Sequence, residues 1–126
     1  MSSLYTEIIQ DAYRHPRHRG AITNPTHSQE GENPLCGDML QVQLRVENGH
    51  IAEARFQGQG CAISQASAEL LLDRIERQPV SAIEELTREV VLEELGLPHI
   101  VPGRLKCALL AMSTLKEAIR SSGGSQ

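Results

Sequence analysis

From Met39 to Val46 apolar and polar residues alternate strictly, with Leu40, Val42, Leu44 and Val46 set against Gln41, Gln43 and Arg45. A period of two predicts a strand with one buried face. Asn48-Gly49 then offers a pair that tolerates positive φ, and from Ile51 to Gln57 the alternation resumes, Ala52, Ala54 and Phe56 against Glu53 and Arg55. The two runs predict a β-hairpin closed by a two-residue turn. Because an isolated hairpin is marginal in water, helices are expected on its apolar face, together with a third strand from the segment near Gln29 to Asn33.

Elsewhere the apolar period is helical. Leu4, Ile8, Ile9 and Ala12 share one face of a helix over residues 4–14, with Ser3 as N-cap and Pro16 as stop. The stretch from there to Pro34 is polar and rich in Pro, Gly and Asn, and reads as a loop that opens on a basic knot, Arg14-His15-Pro16-Arg17-His18-Arg19-Gly20, expected to be a solvated turn. Ala62 to Gln78 predicts a long helix with Ile63, Ala66, Leu70, Leu71 and Ile75 as its apolar set and Pro79 closing it. Ser81-Ala82-Ile83-Glu84 has the form of a capping box and predicts a short acidic helix to about Leu86; another runs through Val91 and Leu95 to Gly96. Pro98, Pro102 and Gly103 lead into a last helix striped by Leu105, Leu109, Met112, Leu115 and Ile119, and residues 121–126 are expected to fray. With no internal repeat, residues 1–126 are expected to form one α+β domain: an N-terminal helix and a small antiparallel sheet packed against C-terminal helices.

Composition narrows the function classes. The chain has 126 residues with one Phe, two Tyr and no Trp, so its core must be aliphatic and stacking platforms for nucleic acid are scarce. A net charge of −4 supplies no basic field for phosphate backbones or anionic lipid. No apolar run approaches the ~20 residues of a membrane span, and Met1-Ser2-Ser3-Leu4-Tyr5 has no basic region with an apolar stretch behind it. A cytoplasmic protein that binds neither nucleic acid nor membrane is expected.

Three cysteines, an odd number at wide spacing, argue for reduced thiols over a disulfide framework. Each falls at a break in the pattern. Cys36 lies in Asn33-Pro34-Leu35-Cys36-Gly37-Asp38 just before the first predicted strand, Cys61 at the junction of the second strand with the long helix, and Cys107 in the predicted first turn of the last helix, about 200° around from Leu105. Helix N-termini favour thiolate over thiol, which would make Cys61 and Cys107 better nucleophiles and metal ligands. Strand, turn, strand and helix bring the start of the first strand and the end of the second together, so Cys36, Asp38 and Cys61 should be neighbours. Three thiolates and a carboxylate suit tetrahedral Zn²⁺, and incomplete thiolate coordination suits a labile iron–sulfur cluster.

The chain resembles the IscU/SufU family of iron–sulfur cluster assembly proteins, with a SufE/NifU-like fold, along nearly its whole length from Leu4 to Ile119. The matching pieces are Leu4-Tyr5 with Ile8-Ile9 and Asp11, Pro16-Arg17, Asn33-Pro34-Leu35-Cys36-Gly37-Asp38, Gly60-Cys61-Ala62-Ile63-Ser64 with Ala66-Ser67-Ala68, and Lys106-Cys107-Ala108. The resemblance implies a scaffold, not an enzyme, that accepts sulfur from a cysteine desulfurase, combines it with iron in a transient cluster, [2Fe–2S] in type, and passes it to apo-proteins or carriers. It places Cys36, Asp38, Cys61 and Cys107 at the ligand positions, with Cys107, and after it Cys61, as candidate persulfide acceptor, and associates the Asp with cluster lability. Lys106 stands where IscU-type scaffolds usually have His, as in the zinc-dependent SufU branch, whereas the short step from Cys61 to Cys107 leaves no room for that branch's usual insertion. A zinc-dependent sulfur acceptor is therefore the alternative, and a structural zinc module a third reading. Leu97-Pro98-His99-Ile100-Val101 matches half of the segment that docks a chaperone in IscU-type proteins, so chaperone handling is not expected, and His99 reads as solvated rather than as a replacement ligand.

Overall fold

The predicted hairpin is the centre of a three-stranded antiparallel sheet of order β1-β2-β3, formed by β1 (His27–Asn33), β2 (Asp38–Glu47) and β3 (His50–Gln59). The computed structural model describes residues 3–34, 37–97 and 102–125. Asn48 (φ 54°) and Gly49 (φ 77°) join Glu47 to its partner His50 with the two positive φ angles a right-twisted hairpin prefers. The third strand is present and starts at His27, two residues before the expected Gln29. One detail of the alternation is corrected. The register shifts between Arg45 and Val46, where Ala52 is an extra residue on β3, so Ile51 turns inward with Ala54 and Phe56 while Ala52 stays half-buried. A bulge flips the side-chain phase beyond it, which periodicity alone does not reveal.

Among the described residues five helices complete the fold: α1 (Ser3–Arg14), α2 (Ala62–Ile75), α3 (Ser81–Glu84), α4 (Arg88–Leu95) and α5 (Pro102–Ser125). The inner sheet face, Leu40, Val42, Leu44 and Phe56, is covered by α5 over β1 and β2 and by α2 over β3, and α1 and α4 pack against α2. Among the described residues burial is aliphatic around one aromatic ring, Phe56, in keeping with the composition.

Other local expectations change as well. No side chain caps α3, so Ser81-Ala82-Ile83-Glu84 is not a capping box; Thr87 is the capping residue, its Oγ1 accepting from Val90 N–H at 3.2 Å at the start of α4. In α5 the buried residues are Cys107, Ala108, Leu110, Ala111, Thr114, Leu115 and Ala118, so of the predicted stripe Leu115 is central, whereas Leu105, Leu109, Met112 and Ile119 are half-buried at the margin. The small residues of this set let α5 lie close against the sheet and α2. The last turns of α5 take in residues 121–125, which were expected to fray.

The basic knot and the end of α2 also depart from expectation. His18 is buried, its backbone joins the edge of β3 (Phe56 N–H to His18 O, 2.8 Å; Gly20 N–H to Phe56 O, 2.9 Å), and each ring nitrogen faces a carboxylate, Nδ1 with Glu69 Oε2 at 2.9 Å and Nε2 with Glu76 Oε1 at 3.0 Å. Glu76 also accepts from Ala54 N–H at 3.0 Å and from Arg55 at 3.2 Å. These bonds draw Glu76 out of the helix (ψ 134°) and end α2 at Ile75, short of the predicted Gln78. Burial alone would push the Glu76 carboxyl up, but the Ala54 amide, His18 and Arg55 outweigh it and hold the group below its ordinary 4.5. A depressed carboxyl contributes stability that is present above the ordinary value and lost as pH falls through the folded one. Glu76→Gln is therefore expected to cost about 2 kcal/mol at neutral pH, measured by urea unfolding, with the difference from the native chain shrinking as pH falls below 4.5.

Candidate metal centre

Asp38 opens β2, and the pairing of Met39 with Gln59 sets it across from the end of β3, where the chain turns into α2. Gly60 makes that turn at φ +141°, and a Cβ there would overlap Asp38 Oδ1, so the absence of a side chain lets the two backbones close. Cys61 is the N-cap residue of α2, in extended conformation, and its N–H donates to Asp38 Oδ1 at 2.9 Å. Cys107 arrives from the other side. It lies in the second turn of α5, not the first, and that helix is held to α2 by Ser67 Oγ donating to Ala108 O at 2.7 Å.

One donor atom from each of Asp38, Cys61 and Cys107 lies within 4.8 Å of the other two. Asp38 is 1% exposed, Cys107 1% exposed, and Cys61 half-buried. Asp38 Oδ2 is buried, with no hydrogen-bond partner among the described residues. An orphaned carboxylate oxygen carries a desolvation cost that a cation relieves, and two sulfurs with one oxygen converging on a point form three corners of a tetrahedral site for Zn²⁺ or for iron. The donor set fits a metal.

Of the expected ligand residues, Asp38, Cys61 and Cys107 are brought together; Cys36 and its neighbour Leu35, like His99, lie outside the described residues. Lys106 is exposed beside Cys107. The α5 amides act within the first turn, so a position in the second takes Cys107 away from the helix N-terminus that the sequence pattern assigned it. Sequence pattern gave no role to Gly60 as the clearance between strand and Asp38, although two glycines in Gly58-Gln59-Gly60 at a strand end signal close backbone approach. An open groove of about 490 Å³ on the outer sheet face, lined in part by Glu30, Met39, Gln57 and Gln59, does not include the three donors.

A three-stranded sheet with helices on one face and an Asp–Cys–Cys convergence at its end matches a known class of domain. Residues 4–124 match the family described as the NifU-like N terminal domain, and the chain belongs to it. It is 37% identical over 132 residues to the iron–sulfur cluster assembly scaffold protein IscU of Thermotoga maritima, covering 93% of each chain. It is also similar to the zinc-dependent sulfurtransferase SufU of Bacillus subtilis, 25% identical over 140 residues and covering 98% of this chain and 95% of the other. The fold is shared with the N-terminal part of a nitrogen-fixing NifU-like protein of Brucella abortus, with a TM-score of 0.80 over 99% of this chain and 98% of that one at 16% identity.

Proposed function

We propose that this protein is an iron–sulfur cluster assembly scaffold: it accepts sulfur from a cysteine desulfurase, combines it with iron in a transient [2Fe–2S] cluster held by Cys36, Asp38, Cys61 and Cys107, and yields the cluster to apo-proteins or carriers. The observation that carries the reading is the convergence of Asp38, Cys61 and Cys107 around a buried carboxylate oxygen without a partner. Similarity to scaffold proteins supports it. So does the donor set, since a hard oxygen among soft thiolates holds iron less firmly than a fourth thiolate, and a delivery protein must release what it builds. Among the described residues no helix is long and apolar enough to cross a membrane; a cytoplasmic location is part of the proposal.

Sulfur arrives by thiol–disulfide chemistry. The Cys107 thiolate attacks the outer sulfur of the desulfurase's cysteine persulfide, a new S–S bond forms on Cys107, the old one breaks, and the desulfurase cysteine leaves as thiolate. Burial of Cys107 keeps the persulfide from water, and a docked donor must open that corner to reach it. Incubation with a cysteine desulfurase and cysteine, followed by intact-mass measurement, is expected to show one added sulfur on the native chain, none on Cys107→Ser and a reduced amount on Cys61→Ser. The reverse pattern would move the acceptor to Cys61, the more exposed of the two thiols.

A second reading, a zinc-dependent sulfur acceptor, is favoured by the fit of the same donors to Zn²⁺ and by the similarity to SufU. In it Cys36, Asp38, Cys61 and Cys107 would hold zinc, which would organise the site and lower the proton affinity of its thiols, and one of those thiols would accept the sulfur. Colourless protein that stimulates a desulfurase without building a cluster is its signature.

A further inference from the structure

The first two turns of α2 carry three buried polar side chains. Ser64 Oγ donates to Cys61 O at 3.0 Å and Ser67 Oγ to Ala108 O at 2.7 Å. Gln65 differs: it is 3% exposed, and neither its Oε1 nor its Nε2 has a partner. An amide unpaired at both ends in the interior destabilises the fold, and an apolar residue of the same shape would avoid that cost. A group kept under those terms calls for a partner that comes within its reach when the site holds its metal.

Its position says which partner. Gln65 lies one helical turn after Cys61, its backbone N–H donating to Cys61 O at 3.2 Å. Long helical side chains lean toward the N-terminus, over the residues three and four before them, which for Gln65 are Ala62 and Cys61. The turn on the other side makes no claim on it, because both carboxylate oxygens of Glu69 are bonded to His18. We propose that Gln65 is a positioning residue for the sulfur at the Cys61 corner, its Nε2–H donating to that sulfur when the site is loaded. The proposal rests on the ligand set argued above. A hydrogen bond to a ligating sulfur draws electron density from it, raises the potential of the bound iron and steadies the sulfur's orientation.

Gln65→Met keeps the shape and removes the donor; Gln65→Glu keeps the polarity and sets a repelling acceptor beside the sulfur. Both are compared with the full-length native chain loaded with Co²⁺, whose thiolate charge-transfer absorption reports on the sulfur directly. Expected for Gln65→Met are a metal-free Tm equal to or above native, a Co²⁺ affinity about tenfold weaker, a charge-transfer band moved to lower energy, and a more negative reduction potential in cluster-loaded protein. Gln65→Glu should weaken Co²⁺ further. Absorption, affinity and potential indistinguishable from native in Gln65→Met would overturn the proposal and leave Gln65 as core packing. A native chain that binds Co²⁺ with no thiolate band would instead sink the ligand set, and this inference with it.

Discussion

Asp38→Ala is expected to lengthen the lifetime of a cluster on the protein by about tenfold while lowering the stability of the fold, two effects of opposite sign from one carboxylate. In the proposed site Asp38 supplies the oxygen corner, and a soft or borderline metal leaves an oxygen donor more readily than a thiolate. Its Oδ1 also accepts the Cys61 N–H at 2.9 Å. Losing that bond costs about 1 kcal/mol, or roughly 4 °C in Tm for a chain of this size. A carboxylate that merely ties the turn would give the drop in Tm and leave cluster lifetime unchanged. Decay of visible absorbance under a chelator, set beside a thermal melt of the metal-free protein, separates the two roles.

Gly60→Ala should be the more damaging change. At φ +141° an alanine is strained by itself, and its Cβ would overlap Asp38 Oδ1 and press on the Asp38 backbone, with no flexible chain end to yield. Strain and displacement together are expected to cost about 2–4 kcal/mol. The site suffers as well, because Asp38 cannot stay on the Cys61 amide once Gly60 carries a side chain. Zinc affinity in a competition titration is expected to fall 10–100-fold. Native affinity in Gly60→Ala would mean that Asp38 is not held where the metal sits.

The parts of this fold that could be read from the chain are those whose cause is local. Strict alternation over Met39–Val46 and the Asn48-Gly49 turn fix a hairpin whatever surrounds it, and the hairpin alone brings Asp38 beside Cys61. Cys107 depended on tertiary packing: the face of α5 that turns inward is set by Ala108, Ala111 and Ala118, which score weakly as hydrophobes but allow the close approach that buries the thiol. His18 was hidden for a related reason. A basic run between two elements reads as solvated until Glu69 and Glu76, 51 and 58 residues further along the chain, supply the charges that bury it. The early end of α2 follows from the same bonds, so one long-range network accounts for both departures.

Whether this chain builds and hands on a cluster is decided by anaerobic reconstitution with ferrous iron, cysteine and a cysteine desulfurase, followed by transfer to an apo-ferredoxin, after assay of the metal the purified protein carries. Visible absorbance is expected to grow on the protein and then move to the ferredoxin. Tightly held zinc, sulfur on a cysteine and no cluster would contradict the scaffold reading and make the protein a zinc-dependent sulfur relay.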